Sequence, residues 1–223
     1  ITSNVSVSLK EYSIDTMVGN NHFSFNIYAP DVNDAVAMNF KGQINHTYKL
    51  NVLSEGKSYE SYTKIPSSSG LDSIWTELVP GLEDSFRILR AIYVDPDTFG
   101  NAVQIQTQNK RVIKTGDPEI FQTSFSPVYN DDIFNNARLP ITIDMGYDKT
   151  KIYSQDELQH LTFLRRGDTV TVKWSAIDKQ VYNFWQTLTY SQGSIGNPFS
   201  SPTKIQSNIP GALGVWAGYN AMF

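Results

Sequence analysis

The chain has 223 residues, 40 % hydrophobic and 18 % charged, so it can bury a core and is not a disordered polar tail. Eighteen Lys and Arg against 22 Asp and Glu give a net charge of −4, without the concentrated basic surface that nucleic acid requires. There is no cysteine, which excludes disulfide frameworks, thiolate zinc sites and cysteine nucleophiles.

The dominant period along the chain is two. Val5, Val7 and Leu9 alternate with polar residues, as do Phe23, Phe25 and Ile27, then Tyr48, Leu50 and Val52. Such alternation puts one face of each strand on a core and the other in water. Turn formers at Gly19-Asn20-Asn21, Pro30-Asp31, Gly42 and Glu55-Gly56-Lys57 separate the strands, a spacing that suggests a sandwich. Residues 1–66 are therefore expected to form a small β-sandwich of immunoglobulin-like or transthyretin-like shape. Pro66-Ser67-Ser68-Ser69-Gly70 is the best linker candidate, and residues 67–223 are expected to form a larger β-sandwich.

In that second domain the pattern predicts strands at Arg87–Val94, Ala102–Thr107, Ile141–Ile143 and Thr169–Trp174. One α-helix is expected near residues 178–190. Asp178 can cap it, with Ser175-x-x-Asp178 as an alternative start of capping-box type; Val181, Trp185 and Leu188 follow at helical spacing, and Gly193 ends it. Ser154-x-x-Glu157 reads as a capping box for a shorter helical segment to Leu164. The glycine-containing segment Gly211–Tyr219 is expected to be a terminal strand. The fold class is therefore all-β: two sandwich domains, the second carrying one packed helix.

Candidate chemistry is sparse. Asp131-Asp132, Glu83-Asp84, Asp156-Glu157, Asp144 and Asp148 could supply an acid and a base. A glycosidase needs its two carboxyls about 5–9.5 Å apart across a cleft, and solvated turns are the commoner use of adjacent acids. His22, His46 and His160 are far apart and have no i, i+4 partner. Asp95-Pro96-Asp97 with Asn101 offers oxygen ligands for calcium, although turn chemistry explains it better. No Gly-x-Ser-x-Gly elbow or phosphate loop occurs. Trp75, Trp174, Trp185 and Trp216 could stack on sugar rings, and Tyr129, Asn130 and Tyr147 could make contacts, though a Trp in a β protein is more often core.

At the C-terminal end the pattern becomes specific. Leu164-x-x-Gly167-Asp168-x-Val170-x-Val172, Ile177-Asp178-x-x-Val181-Tyr182-x-Phe184-Trp185, Gly196-Asn197-Pro198-Phe199 and Ser207-Asn208-Ile209-x-Gly211 resemble the domain-of-unknown-function 4249 family. Earlier segments keep the family order: Tyr48-x-Leu50-x-Val52, Glu55-Gly56-Lys57-x-Tyr59, Ile65-Pro66, Leu71-Asp72-Ser73-Ile74, Asp95-Pro96 and Asn130-Asp131-Asp132-x-Phe134.

The resemblance implies a lipid-anchored Bacteroidetes lipoprotein at the outer membrane or cell surface. Its lipobox cysteine would lie upstream of Ile1. It also implies association with a TonB-dependent receptor, and it carries over no functional residues. The expectation is a non-enzymatic binding protein for a nutrient or a partner protein at an uptake complex, touching the membrane only through an upstream anchor. The alternative is a carbohydrate-binding module using exposed aromatics, with a glycan or peptide as ligand. No catalytic, metal or cofactor-binding residue is assigned, and no cofactor is expected.

Overall fold

The computed structural model describes residues 5–18, 21–68, 70–82, 85–112, 119–133, 135–149, 151–194, 201 and 203–223. The fold is all-β and sandwich-like, and the chain divides into two compact units, residues 1–43 and 44–223.

In the first unit, β1 (Leu9–Val18) and β2 (Asn21–Pro30) form an antiparallel hairpin. Alternation sorts Tyr12, Ile14, Phe25 and Ile27 to one face and Glu11, Ser13, Asn26 and Tyr28 to the other. On the polar face Ser13 Oγ donates to Asn26 Oδ1 at 2.9 Å, and the Tyr28 hydroxyl donates to Glu11 at 2.5 Å. The apolar face stays half open: Phe23 is 47 %, Phe25 48 % and Ile27 42 % exposed. The short helix α1 (Ala35–Asn39) starts at Asp34, whose carboxylate accepts from the backbone N–H of Val36 and Ala37.

The second unit opens with another hairpin, β3 (Thr47–Ser54) and β4 (Lys57–Lys64). Glu55 and Gly56 turn the corner with φ of 50° and 73°, the left-handed pair that a two-residue hairpin loop demands. Two larger antiparallel sheets follow. In the first, β5 (Leu71–Leu78) runs along one edge of β6 (Phe86–Val94). In the second, β7 (Ala102–Lys110) pairs with the short β8 (Val128–Asn130). The first sheet is completed by β9 (Arg138–Ile143), which shares the other edge of β6 with the two residues of β10 (Leu164–Arg165) beyond α2 (Gln155–Thr162). The second gains β11 (Thr169–Ile177) beside β7, followed by α3 (Lys179–Gly193) and β12 (Asn220–Met222).

The sheets enclose one core. Leu89, Ala91 and Tyr93 of β6 and Ile143 of β9 meet Val103 and Ile105 of β7 and Trp174 of β11. Strand parity then sends Ala102 and Ile177 to the opposite face of the second sheet. There they pack with Val181, Tyr182 and the half-buried Trp185 of α3. The predicted helix is thus present, capped by Asp178. The capping box at Ser154 is also formed, with Glu157 reaching back to the Ser154 N–H.

Val5 and Val7, expected in a strand, precede the start of β1 at Leu9, and two larger features differ from the sequence expectation. Residues 44–66, assigned above to the N-terminal domain, group with the second unit. The cause is a set of hydrogen bonds. Ser61 Oγ donates to the Asn208 carbonyl at 2.7 Å and Thr63 Oγ1 to Asp178 Oδ2 at 2.9 Å. Trp216 Nε1 donates to the Tyr48 carbonyl at 3.1 Å.

The second difference is that the segment Gly211–Tyr219 is not a strand; pairing begins only at Asn220. Side chains satisfy its backbone instead. Ser207 Oγ donates to the Gly214 carbonyl, and Asn208 bonds both the N–H and the C=O of Trp216 at 2.8 Å. Gly218 lies so close to β4 that a Cβ would sit 2.8 Å from Ile65 Cγ1 and 3.0 Å from the Lys64 carbonyl oxygen.

Candidate functional site

On the helix-bearing face of the second sheet, β7 presents Ala102, Gln104 and Gln106 in alternation. The register places Ile177, Ser175 and Lys173 of β11 directly beside them. α3 covers the Ala102–Ile177 end and leaves the polar end open. That end forms a groove of about 520 Å³, within the size range of small-ligand sites. Gln104 and Gln106 line it with Gln122 and Thr123. Trp185 and Tyr219, Phe121 and Lys173, and Tyr147, Asp148 and Lys149 line the rest.

Gln104 gives the groove its chemistry. The residue is 5 % exposed, yet its carboxamide has no hydrogen-bond partner among the described residues. On the same rung, Ser175 is fully buried and its Oγ is likewise unpartnered. A buried hydroxyl left unbonded costs about 1–3 kcal/mol, which applies to the Ser175 Oγ, while the Gln104 carboxamide lines the groove with its bonds free for water or a ligand.

The aromatic walls are held by their own contacts. Trp185 Nε1 donates to the Tyr219 hydroxyl at 3.3 Å. Lys173 Nζ stands 5.7 Å from the Phe121 ring centroid, and that ring lies 5.7 Å from Phe223. Burial raises the Tyr219 phenol above its ordinary pKa, with the Trp185 hydrogen bond opposing, so the hydroxyl stays neutral. Burial also lowers the Lys149 ammonium.

Of the residues singled out in the sequence, only Trp185, Tyr147 and Asp148 meet in this groove. Trp174 is in the core, the Trp75 indole donates to Glu77, and Trp216 is tied to Tyr48. Asp131 is buried and clamps the Asp95–Asn101 loop, accepting from the N–H groups of Gly100 and Asn101 at 3.0 Å. Asp95 is also buried, taking the Tyr93 hydroxyl at 2.8 Å and the Asn136 N–H at 3.1 Å. The calcium candidate is thus a loop whose acids bond amides and a phenol.

The remaining candidates are scattered. Asp132 pairs with Lys179 at 2.8 Å, which lowers its carboxyl pKa. Burial raises the Asp144 carboxyl. Asp156 and Glu157 lie in the first turn of α2. Tyr129 and Asn130 lie on β8, where burial chiefly raises the Tyr129 phenol. His22 lies 3.9 Å from Asp15, and His46 Nδ1 is 3.0 Å from the Ile44 carbonyl. Glu83, Asp84, the His160 side chain and 196–200 lie outside the described residues.

Gln104, Gln106, Phe121, Lys173 and Tyr219 were missed. One signal was present: glutamines alternate with Val103, Ile105 and Thr107 on a strand paired along both edges. An apolar row would be expected on a face covered by a helix.

The Gly167-Asp168 motif is structural. Gly167 takes a φ of 98°. The buried Asp168 accepts from the backbone N–H of Val112 and Arg165 and lies 3.4 Å from the buried guanidinium of Arg111. Comparisons with curated proteins and with solved structures found no match. The family model described as "Domain of unknown function (DUF4249)" matches residues 3–222, and the chain belongs to that family.

Proposed function

We propose that this protein is a non-enzymatic, lipid-anchored surface protein that captures a nutrient in the groove beside α3, for delivery to a TonB-dependent uptake complex. The observation that carries this reading is the unpartnered carboxamide of Gln104, which lines the groove between aromatic walls. Asp148 is the one carboxylate among the described lining residues, whereas glycoside hydrolysis uses a pair. The address and the receptor come from the family resemblance.

The lining also favours the carbohydrate-binding alternative for ligand class. Carboxamides bond hydroxyls as donor and acceptor at once, and aromatic faces such as Trp185 accept the apolar side of a sugar ring. Titration against defined oligosaccharides and peptides tests the site. A ligand that binds the native chain is expected to lose about tenfold or more in affinity to Gln104→Ala/Gln106→Ala, the equivalent of one or two lost hydrogen bonds. Unchanged affinity would place the ligand elsewhere. Mild-detergent recovery of the anchored protein with a receptor tests the uptake complex, and recovery of the protein alone would count against it.

A further inference from the structure

A second groove of about 520 Å³ lies in the same unit, lined by Glu60, Ser61 and Tyr62 of β4, by Gln180 and Asn183 of α3, and by 206–208 and Pro210. Three consecutive strand residues cannot all present side chains to one face, so the groove runs along the edge of β4.

The parity of that edge can be worked out. The two-residue Glu55-Gly56 loop makes Ser54 and Lys57 a hydrogen-bonded pair, so Lys57, Tyr59, Ser61 and Thr63 bond β3. Beyond the hairpin, Ile65 N–H donates back to the His46 carbonyl at 3.1 Å, and the Lys64 N–H turns outward to Asp178 Oδ2 at 3.2 Å. Both agree with that parity. The N–H and C=O groups of Glu60 and Tyr62 therefore point into the groove, and they have no partner among the described residues.

The opposite wall complements them. Gln180 and Asn183 share a helix face at i, i+3, and with Gln206 they hold three side-chain amides free of partners among the described residues. Asn208 and Ser207 are spent on the chain's own backbone. The side chains of Glu60 and Tyr62 are engaged elsewhere. Lys49 Nζ lies 2.6 Å from Glu60 and 5.7 Å from the Tyr62 ring centroid. What the groove offers is main-chain hydrogen bonding on one side and carboxamides on the other.

We infer that this groove binds an extended peptide segment of a partner protein, added as a strand to the free edge of β4 and held from above by Gln180, Asn183 and Gln206. An extended main chain supplies the alternating donors and acceptors that a strand edge lacks. The site is separate from the Gln104 groove, so either can fail without the other.

A displayed library of random heptapeptides, panned on the whole chain, is the probe. Tyr62→Pro removes one outward N–H without touching a bond to β3, a position where an edge strand tolerates proline. Selected peptides are expected to lose about tenfold or more in affinity to this variant and to Asn183→Ala/Gln206→Ala, but not to Gln104→Ala. N-methylation of alternate peptide amides should abolish binding in one register and spare it in the other. No enrichment over the Tyr62→Pro protein, or peptides indifferent to N-methylation, would overturn the inference.

Discussion

The two hairpins make an instructive pair. Each alternates apolar and polar residues, and each is an antiparallel ribbon in unbroken register. On β4, Ser61 and Thr63 are buried, and their hydroxyls bond residues more than a hundred positions away. On β2, Phe23, Phe25 and Ile27 remain half open, and among the described residues the side-chain hydrogen bonds of β1 and β2 lie within the ribbon itself. A two-stranded ribbon is at best marginally stable alone. What fixes β3–β4 within its own unit is therefore polar anchoring: the Ser61 and Thr63 hydroxyls bond Asn208, Asp178 and Gly218.

The strongest way to break this contrast is to remove the anchor. Asp178 caps α3 by accepting from the Val181 N–H at 2.9 Å, and it also holds Thr63 Oγ1 and the Lys64 N–H. Asp178→Ala loses a cap and orphans two donors. A destabilisation of about 3 kcal/mol is expected from these combined losses, read as a lower urea midpoint in tryptophan fluorescence. All four tryptophans lie in the second unit, so the signal reports that unit. An unchanged midpoint would show that Asp178 is not the anchor.

Gly218→Ala tests the same junction by steric means. The added methyl would meet the Lys64 carbonyl and Ile65, and overpacking against backbone is expected to cost about 2 kcal/mol. Thr63→Val is milder. It keeps the shape but deletes the hydroxyl that accepts from the Gly218 N–H at 2.8 Å and donates to Asp178, so about 1.5 kcal/mol is expected. If Thr63→Val equals Gly218→Ala, the hydroxyl rather than the close approach governs the junction. The same unfolding curves measure both.

These anchors explain what was and was not legible in the sequence. Most strands, the Asp178 helix and the Ser154 capping box are local patterns, and they stand where periodicity and capping put them, whereas Val5 and Val7 alternate ahead of β1, which begins only at Leu9. The grouping of residues 44–66 depends on Thr63 meeting Asp178 and Gly218, long-range partners that no local period encodes. Gly211–Tyr219 reads as a terminal strand whose glycines allow close backbone approach. In fact Ser207 and Asn208 satisfy part of its backbone and leave β12 only three residues. The groove was half legible: Trp185 was visible as an aromatic, whereas Gln104 and Lys173 become neighbours only through the β7–β11 register.

The smallest expected effect comes from the other hairpin. Phe25 faces Ile14 across the ribbon and is 48 % exposed. Full burial of such a side chain stabilises by roughly 1.5–3 kcal/mol, so half burial is worth about 1 kcal/mol. Phe25→Ser should therefore leave the tryptophan-monitored midpoint nearly in place while loosening β1 and β2. Amide exchange in those strands should quicken relative to β6 and β7, because protection follows local opening rather than global unfolding alone. A midpoint shift as large as that of Asp178→Ala would end the contrast between the half-open ribbon and the anchored one. Faster exchange confined to β1 and β2 would sharpen it, assigning the open Phe23-Phe25-Ile27 row little weight in the stability of the sandwich.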